Sequence, residues 1–395
     1  MHAVWRARQG IPWEPEQAKG MVANAGHISK VGAIGNFPAA SPEDLTEAFG
    51  LRAAPKIVRA IDGSTAGPEK AALRKKAIAA SMEMYRDAQQ VVSLVAAGIV
   101  PALNKCCFKE EEPDATMRTA ALVAMTRLGR EYKAREQMLA HGTLKALTAA
   151  SSDEADVSGA CLSVVSELVK HREFSMPLVD AGFVKLLVSW PTAGMQLGSV
   201  TALGQLVAHE EKAMEAAIAD GAVMTCVGLL EATESNEVRA AAGLTLSSLT
   251  YGQAEKCVAL EAGVMRTCAG MLREEDEGLQ VAAAAIAMSM CNGTRNEDGT
   301  NACKPTAVKE GLVKALAPLL EPEYALELTS EMDDSNSTAL PVYVMKAMSS
   351  LADAPKGRKQ LKAKCLQQLE AIAKSEEPLV KKNALVAIER ITWMP

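Results

Sequence analysis

The sequence is poor in aromatic residues: four Trp, five Tyr and five Phe in 395 positions. Its core must therefore come from small and flexible apolar side chains, and Ala and Met are plentiful, as closely packed helices prefer. Histidine is equally scarce. His2, His27, His141, His171 and His209 show no metal-ligand spacing, and His209-Glu210-Glu211 lacks the second His that a helical zinc motif places one turn on. No phosphate-cradling glycine loop followed by Lys occurs; Gly32-Ala33-Ile34-Gly35 is a bare glycine pair. The nine cysteines include no C-x-x-C pair. There is no basic excess either. A net charge of −6 argues against a general nucleic-acid binder, which needs many phosphate-neutralising Lys and Arg. The longest nearly apolar run, Val281 to Cys291, falls short of the roughly 20 residues that span a bilayer. Carboxylates are plentiful but scattered over loops and polar helix faces. These absences predict no enzyme activity, no cofactor, no metal, no small-molecule substrate and no membrane span. With no charged-then-apolar leader at Met1, the odd number of thiols predicts a reducing compartment.

What is present is a repeated phrase, clearest from Gly221 to Leu249. An apolar helix (Ala222 to Leu230) and a polar break (Glu231 to Asn236) lead into a helix with Val238, Ala242, Leu246 and Leu249 on one face. Asn236 stands where an N-cap is expected. The glycine that opens the phrase recurs at Gly98, Gly142, Gly182, Gly221, Gly263 and Gly311, at spacings of 44, 40, 39, 42 and 48. Three positions around each glycine are apolar in every copy: Val95, Val100 and Leu103 in the first, Ile218, Val223 and Cys226 in the fourth. Cys226 and Cys268 fill a slot that the other copies give to Leu, which predicts buried core thiols. One such unit cannot bury its apolar face alone, so the copies must stack. A period near 42, with a short helix, a glycine and two longer helices, is the armadillo pattern. The expected fold is all-α, an armadillo-type right-handed α-solenoid with an extended N-terminal arm. Third helices should line its concave side and second helices its convex side.

The pattern divides the chain into an arm (1–41), an irregular capping repeat (42–87), six repeats (88–353) and a C-terminal capping repeat (354–395). Loops 291–305 and 321–337 should project from the stack. The arm carries Trp5 and Trp13, two of the four tryptophans, either folded back on the solenoid or anchoring a partner. Glu321 to Ser337 holds six carboxylates, among them Glu327, Glu331, Asp333 and Asp334, and no Lys or Arg. It is a solvated loop or a docking site for a basic partner. Lys356 to Lys382 has the opposite sign, eight basic residues against three acidic, with Arg358, Lys359, Lys381 and Lys382 as candidates to meet an acidic partner. Armadillo proteins that hold extended peptides, such as the nuclear-import adaptors, carry an Asn ladder near the end of the third helices. The matching positions here are Arg127, Glu167, Gln205, Ser248 and Ser350. None is Asn, which argues against import.

Ala48-Phe49-Gly50-Leu51-Arg52-Ala53, Leu73-Arg74-Lys75-Lys76-Ala77 and Leu351-Ala352-Asp353-Ala354-Pro355-Lys356-Gly357-Arg358-Lys359-Gln360-Leu361 resemble the armadillo-repeat radial spoke proteins of motile cilia and flagella. The resemblance covers about residues 45–395; the acidic loop looks like an insertion, and the arm lies outside it. It implies a non-enzymatic structural subunit of the axoneme, made in the cytoplasm, that packs against other radial spoke subunits in the stalk or neck of a large complex. The alternative reading is a soluble armadillo adaptor or co-chaperone that takes a client in its concave groove.

Overall fold

A computed structural model describes residues 53–63, 69–293, 302–320 and 340–393. Trp5, Trp13, Glu327, Glu331, Asp333 and Asp334 lie outside them, as does the proposed arm. The described residues are helices and turns with no strand. Two compact units divide the chain, residues 1–84 and 85–395. In the first, helix Ala53–Asp62 packs on helix Lys70–Met84. Arg74 is buried between them and donates from Nε to the carbonyl of Ile61 at 3.0 Å.

The described residues of the second unit form seven three-helix repeats. Their helices are Ala88–Ala96, Ile99–Cys106 and Ala115–Leu128; Tyr132–Ala140, Thr143–Ser151 and Ala155–Leu168; Ser175–Asp180, Phe183–Ser189 and Gln196–His209; Glu211–Ala219, Ala222–Ala232 and Asn236–Leu249; Gln253–Glu261, Val264–Met271 and Glu277–Cys291; Cys303–Lys309, Leu312–Leu316 and Leu340–Leu351; and Pro355–Lys364, Leu366–Ile372 and Pro378–Thr392. Each third helix packs on the third helix of the next repeat, so a continuous ladder of third helices runs through the unit. Nearest-neighbour stacking of this kind is how a chain with few aromatic residues buries enough surface.

The six recurrent glycines sit between first and second helices with φ from 73° at Gly142 to 88° at Gly98. This left-handed conformation lets the chain turn sharply while the second helix starts at once, and a Cβ resists it. The seventh repeat makes the same joint at Cys365 with φ −120°, without glycine. In the fourth repeat Val238, Ala242, Leu246 and Leu249 are buried as their spacing requires. The N-cap, however, is Ser235, whose side chain accepts from the amide of Val238 at 3.4 Å. Asn236 is the first helical residue instead, and its amide nitrogen donates to Asp276 of the next repeat at 3.1 Å.

Cys226 and Cys268 are buried in the Leu slot, and burial pushes both thiols up to about 12. Of the nine cysteines, only Cys257 is exposed. Since the thiolate is the reacting species, a disulfide reagent at mildly alkaline pH is expected to titrate one fast thiol per folded chain. Cys257→Ser should abolish that phase, and denaturant should expose the rest. Two or more fast thiols in the folded protein would mean that the repeats are not packed as described.

Candidate docking surface at the last repeat

Each third helix has a fixed register against the repeat that follows. The residue before the helix is Asp114 in the first repeat, then Glu154, Met195, Ser235 and Asp276, and Glu377 in the seventh. Four residues on, the first and fourth repeats place Arg118 and Arg239. Arg118 is fully buried, with Nε 2.7 Å from Asp153 in the second repeat. Arg239 forms a two-pronged pair with Glu274 of the fifth repeat, at 2.9 and 2.6 Å. The hydrogen bond from Arg239 holds the Glu274 carboxyl below the usual carboxylate range, against the opposing effect of burial. In both cases a basic residue one turn into the helix reaches an acidic residue in the turn before the next third helix.

Eight residues past the same reference point stand Leu122, Leu162, Leu203, Gly243 and Ala284, all buried. This slot points at the following repeat. A Cβ on Gly243 would lie 2.9 Å from the Cβ of Ala282, and one on Gly198 would lie 3.0 Å from Leu162.

In the seventh repeat the two slots hold Lys381 and Leu385. Leu385 is 50% exposed, and its neighbour Val386 is 40% exposed. With Pro378, Lys381, Lys382 and Glu389 they line a shallow open cleft of about 400 Å³. At the far end of the same helix the Arg358 guanidinium lies 4.8 Å from the centre of the Trp393 ring, which is 55% exposed. Arg358 also donates to the carbonyls of Ala352 at 2.9 Å and Trp393 at 3.4 Å, so much of its capacity serves to fix the end of the last helix. Lys359 is exposed on the first helix of the repeat. The structure therefore brings Lys381 and Lys382 into one cleft and gives Arg358 a partner within the chain. Leu385, Val386 and Trp393 were not singled out from the sequence, because apolar residues on a helix suggest a core until their exposure in the fold shows otherwise.

Elsewhere the third-helix positions of the Asn ladder carry other groups. Glu167 is buried and ion-paired to Lys170 at 2.8 Å. Among the described residues, no cluster of three or more His, Cys, Asp or Glu is placed to hold a metal. No single described helix is long and apolar enough to cross a membrane. The one pair that passes by length and composition, Glu211–Ala219 with Ala222–Ala232, is bent by 72°.

No family model matches the chain, and no curated protein matches it in sequence. Solved structures do match in shape. The crystal structure of an engineered protein superposes with a TM-score of 0.71 at 20% identity, covering 87% of this chain and 79% of its own. A second engineered protein gives 0.53 at 19% identity, over 63% of this chain and 98% of its own. A designed armadillo repeat protein matches 74% of this chain and 99% of its own at 17% identity, with a TM-score of 0.40. At such identities the likeness is one of fold: an all-α solenoid of three-helix repeats.

Proposed function

We propose that the chain is a non-enzymatic structural subunit that scaffolds its neighbours in a large assembly, and that the assembly is the axonemal radial spoke of cilia and flagella. The observation that carries the scaffold reading is the seventh repeat, whose third helix leaves its stacking slot exposed at Leu385, whereas the matching slot is buried in the first five repeats. A stack with an exposed stacking face offers surface for assembly rather than a closed cleft for chemistry. The radial spoke enters through the resemblance of Leu351 to Leu361, the stretch that joins the sixth repeat to the seventh. Other spoke subunits are the implied partners. Demembranated motile cilia extracted in graded salt and then chaotrope test the reading. The protein is expected to resist moderate salt and to sediment with a spoke-sized particle. Release with the soluble matrix, or absence from cilia, would overturn the axonemal assignment and favour a soluble adaptor.

A further inference from the structure

We infer that the exposed stacking face of the last helix, centred on Lys381 and Leu385, receives an α-helix of another protein that is preceded by an acidic turn, extending the ladder of third helices across a subunit boundary. The inference rests on the scaffold reading but not on the axonemal location.

The array supplies the rule. Where a third helix carries a basic residue one turn in, the next repeat answers with acid: Asp153 2.7 Å from Arg118, Glu274 2.6 Å from Arg239. One turn further on, the apolar slot is closed by the next third helix. Lys381 and Leu385 repeat this pair of slots in the third helix of the seventh repeat. Lys381 has no ion-pair partner among the described residues, and Leu385 stands half exposed. Lys382 and Val386 widen the same pattern, charge beside apolar surface, on the adjacent stripe of the helix. A basic rim therefore selects an acidic approach, and the apolar slot beyond it selects a packed helix rather than an extended strand. Trp393, stacked under Arg358, flanks the far end with the residue types that dominate interface energetics.

The probe is taken from the chain itself: a fluorescent peptide of residues 272–291, carrying Glu274, Asp276 and the third helix that follows them, with Cys291→Ser. Its anisotropy is measured against the full chain. Saturable binding is expected, weakened about tenfold by Lys381→Glu and by Leu385→Ser, because each removes one half of the recognition. Lys185→Glu, on an exposed position of the third repeat, should leave binding unchanged. A peptide with Glu274→Lys should bind the Lys381→Glu protein better than the original peptide does, the reciprocal rescue that nonspecific adhesion cannot give. Both protein substitutions are on the surface, and unchanged melting curves exclude misfolding as the cause. No saturable binding at millimolar peptide, or equal binding to all variants, would overturn the inference. Sedimentation showing dimers that Lys381→Glu dissolves would give the face to a second copy and overturn the choice of partner. So would binding that appears only when residues 321–339 are deleted, since the chain's own acidic run would then be the occupant. Failure of the axonemal assignment touches none of these readings.

Discussion

Arg118→Ala is expected to lower the stability of the solenoid by about 3–5 kcal/mol, the cost of leaving a buried charge without its partner. The guanidinium is fully buried. It donates to the carbonyls of Glu112 at 2.9 Å and Pro113 at 2.7 Å, and to Asp153 Oδ1 at 3.0 Å. The Asp153 side chain is itself only 7% exposed, so the substitution strands a carboxylate and two carbonyls at the junction of the first and second repeats. An isolated surface pair would contribute no more than about 1 kcal/mol, and this difference in burial is the reason Arg118 ranks first. Burial opposes ionisation of Asp153, but the hydrogen bonds from Arg118 and from the Glu154 amide outweigh it and hold the carboxyl below its ordinary value. A carboxyl depressed by folding stabilises the protein above its unfolded pKa, about 3.9, and loses that contribution as pH falls through the folded value. In the variant burial is opposed chiefly by the Glu154 amide, so the same carboxyl moves up and protonation relieves it. The gap between wild type and variant should therefore narrow from pH 7 toward about pH 4, read from urea midpoints at each pH. Arg118→Met combined with Asp153→Leu should recover most of the loss, since replacing both partners leaves no stranded charge. A gap of less than about 1 kcal/mol at neutral pH would show that this junction is solvated and the pair is ornamental.

That pair also shows where sequence reading stops. The glycines at the joints, the stripe from Val238 to Leu249 and the thiols in the Leu slot are properties of single helices, set by periodicity and by the steric freedom of one residue. They could be read locally. The partner of Arg118 lies 35 residues away, and nothing in Thr116-Met117-Arg118 distinguishes a buried tie from a solvated face. The fourth repeat fails in the same way on a smaller scale. Ser235 and Asn236 are both good caps; the choice falls to Ser235 while the Asn236 amide donates to Asp276 in the next repeat. In the last helix Val380, Ala384, Ala387 and Ile391 follow helical spacing and are buried. Leu385 and Val386 acquire meaning only from the register of the helices before them. Arg358 shifts the other way: in the sequence it is one charge in a basic run, whereas in the fold it secures Trp393 and the carbonyl of Ala352.

Gly357→Val is expected to detach the seventh repeat from the array while leaving the six before it folded. Gly357 lies in the first turns of helix Pro355–Lys364, where a Cβ would run into the backbone carbonyl of Leu351 and come within 3.2 Å of Val308 Cγ2. The obstacle is backbone at the end of the preceding third helix, and it is held in place because the Leu351 carbonyl accepts from the amide of Ala354 at 3.2 Å. No side-chain rotation can make room, so the added bulk must push the helix away, at a cost of about 3 kcal/mol or more. The cost falls on the junction between the sixth and seventh repeats, so that junction should open first. Limited proteolysis should then cut after residue 353 and leave a stable fragment, with helical signal lost in proportion to the missing repeat. Docking of the acidic peptide should vanish although Lys381 and Leu385 are intact, because their presentation depends on the helix beneath them. Gly228→Ala provides the contrast. That glycine is inside helix Ala222–Ala232 with no atom within 4 Å of an added Cβ, so the change should raise stability by about 0.5–1 kcal/mol. If Gly357→Val melted like the wild type and kept its last repeat resistant to protease, the close approach at Leu351 would not exist in solution. The exposed face beyond it could then no longer be treated as a rigid continuation of the ladder.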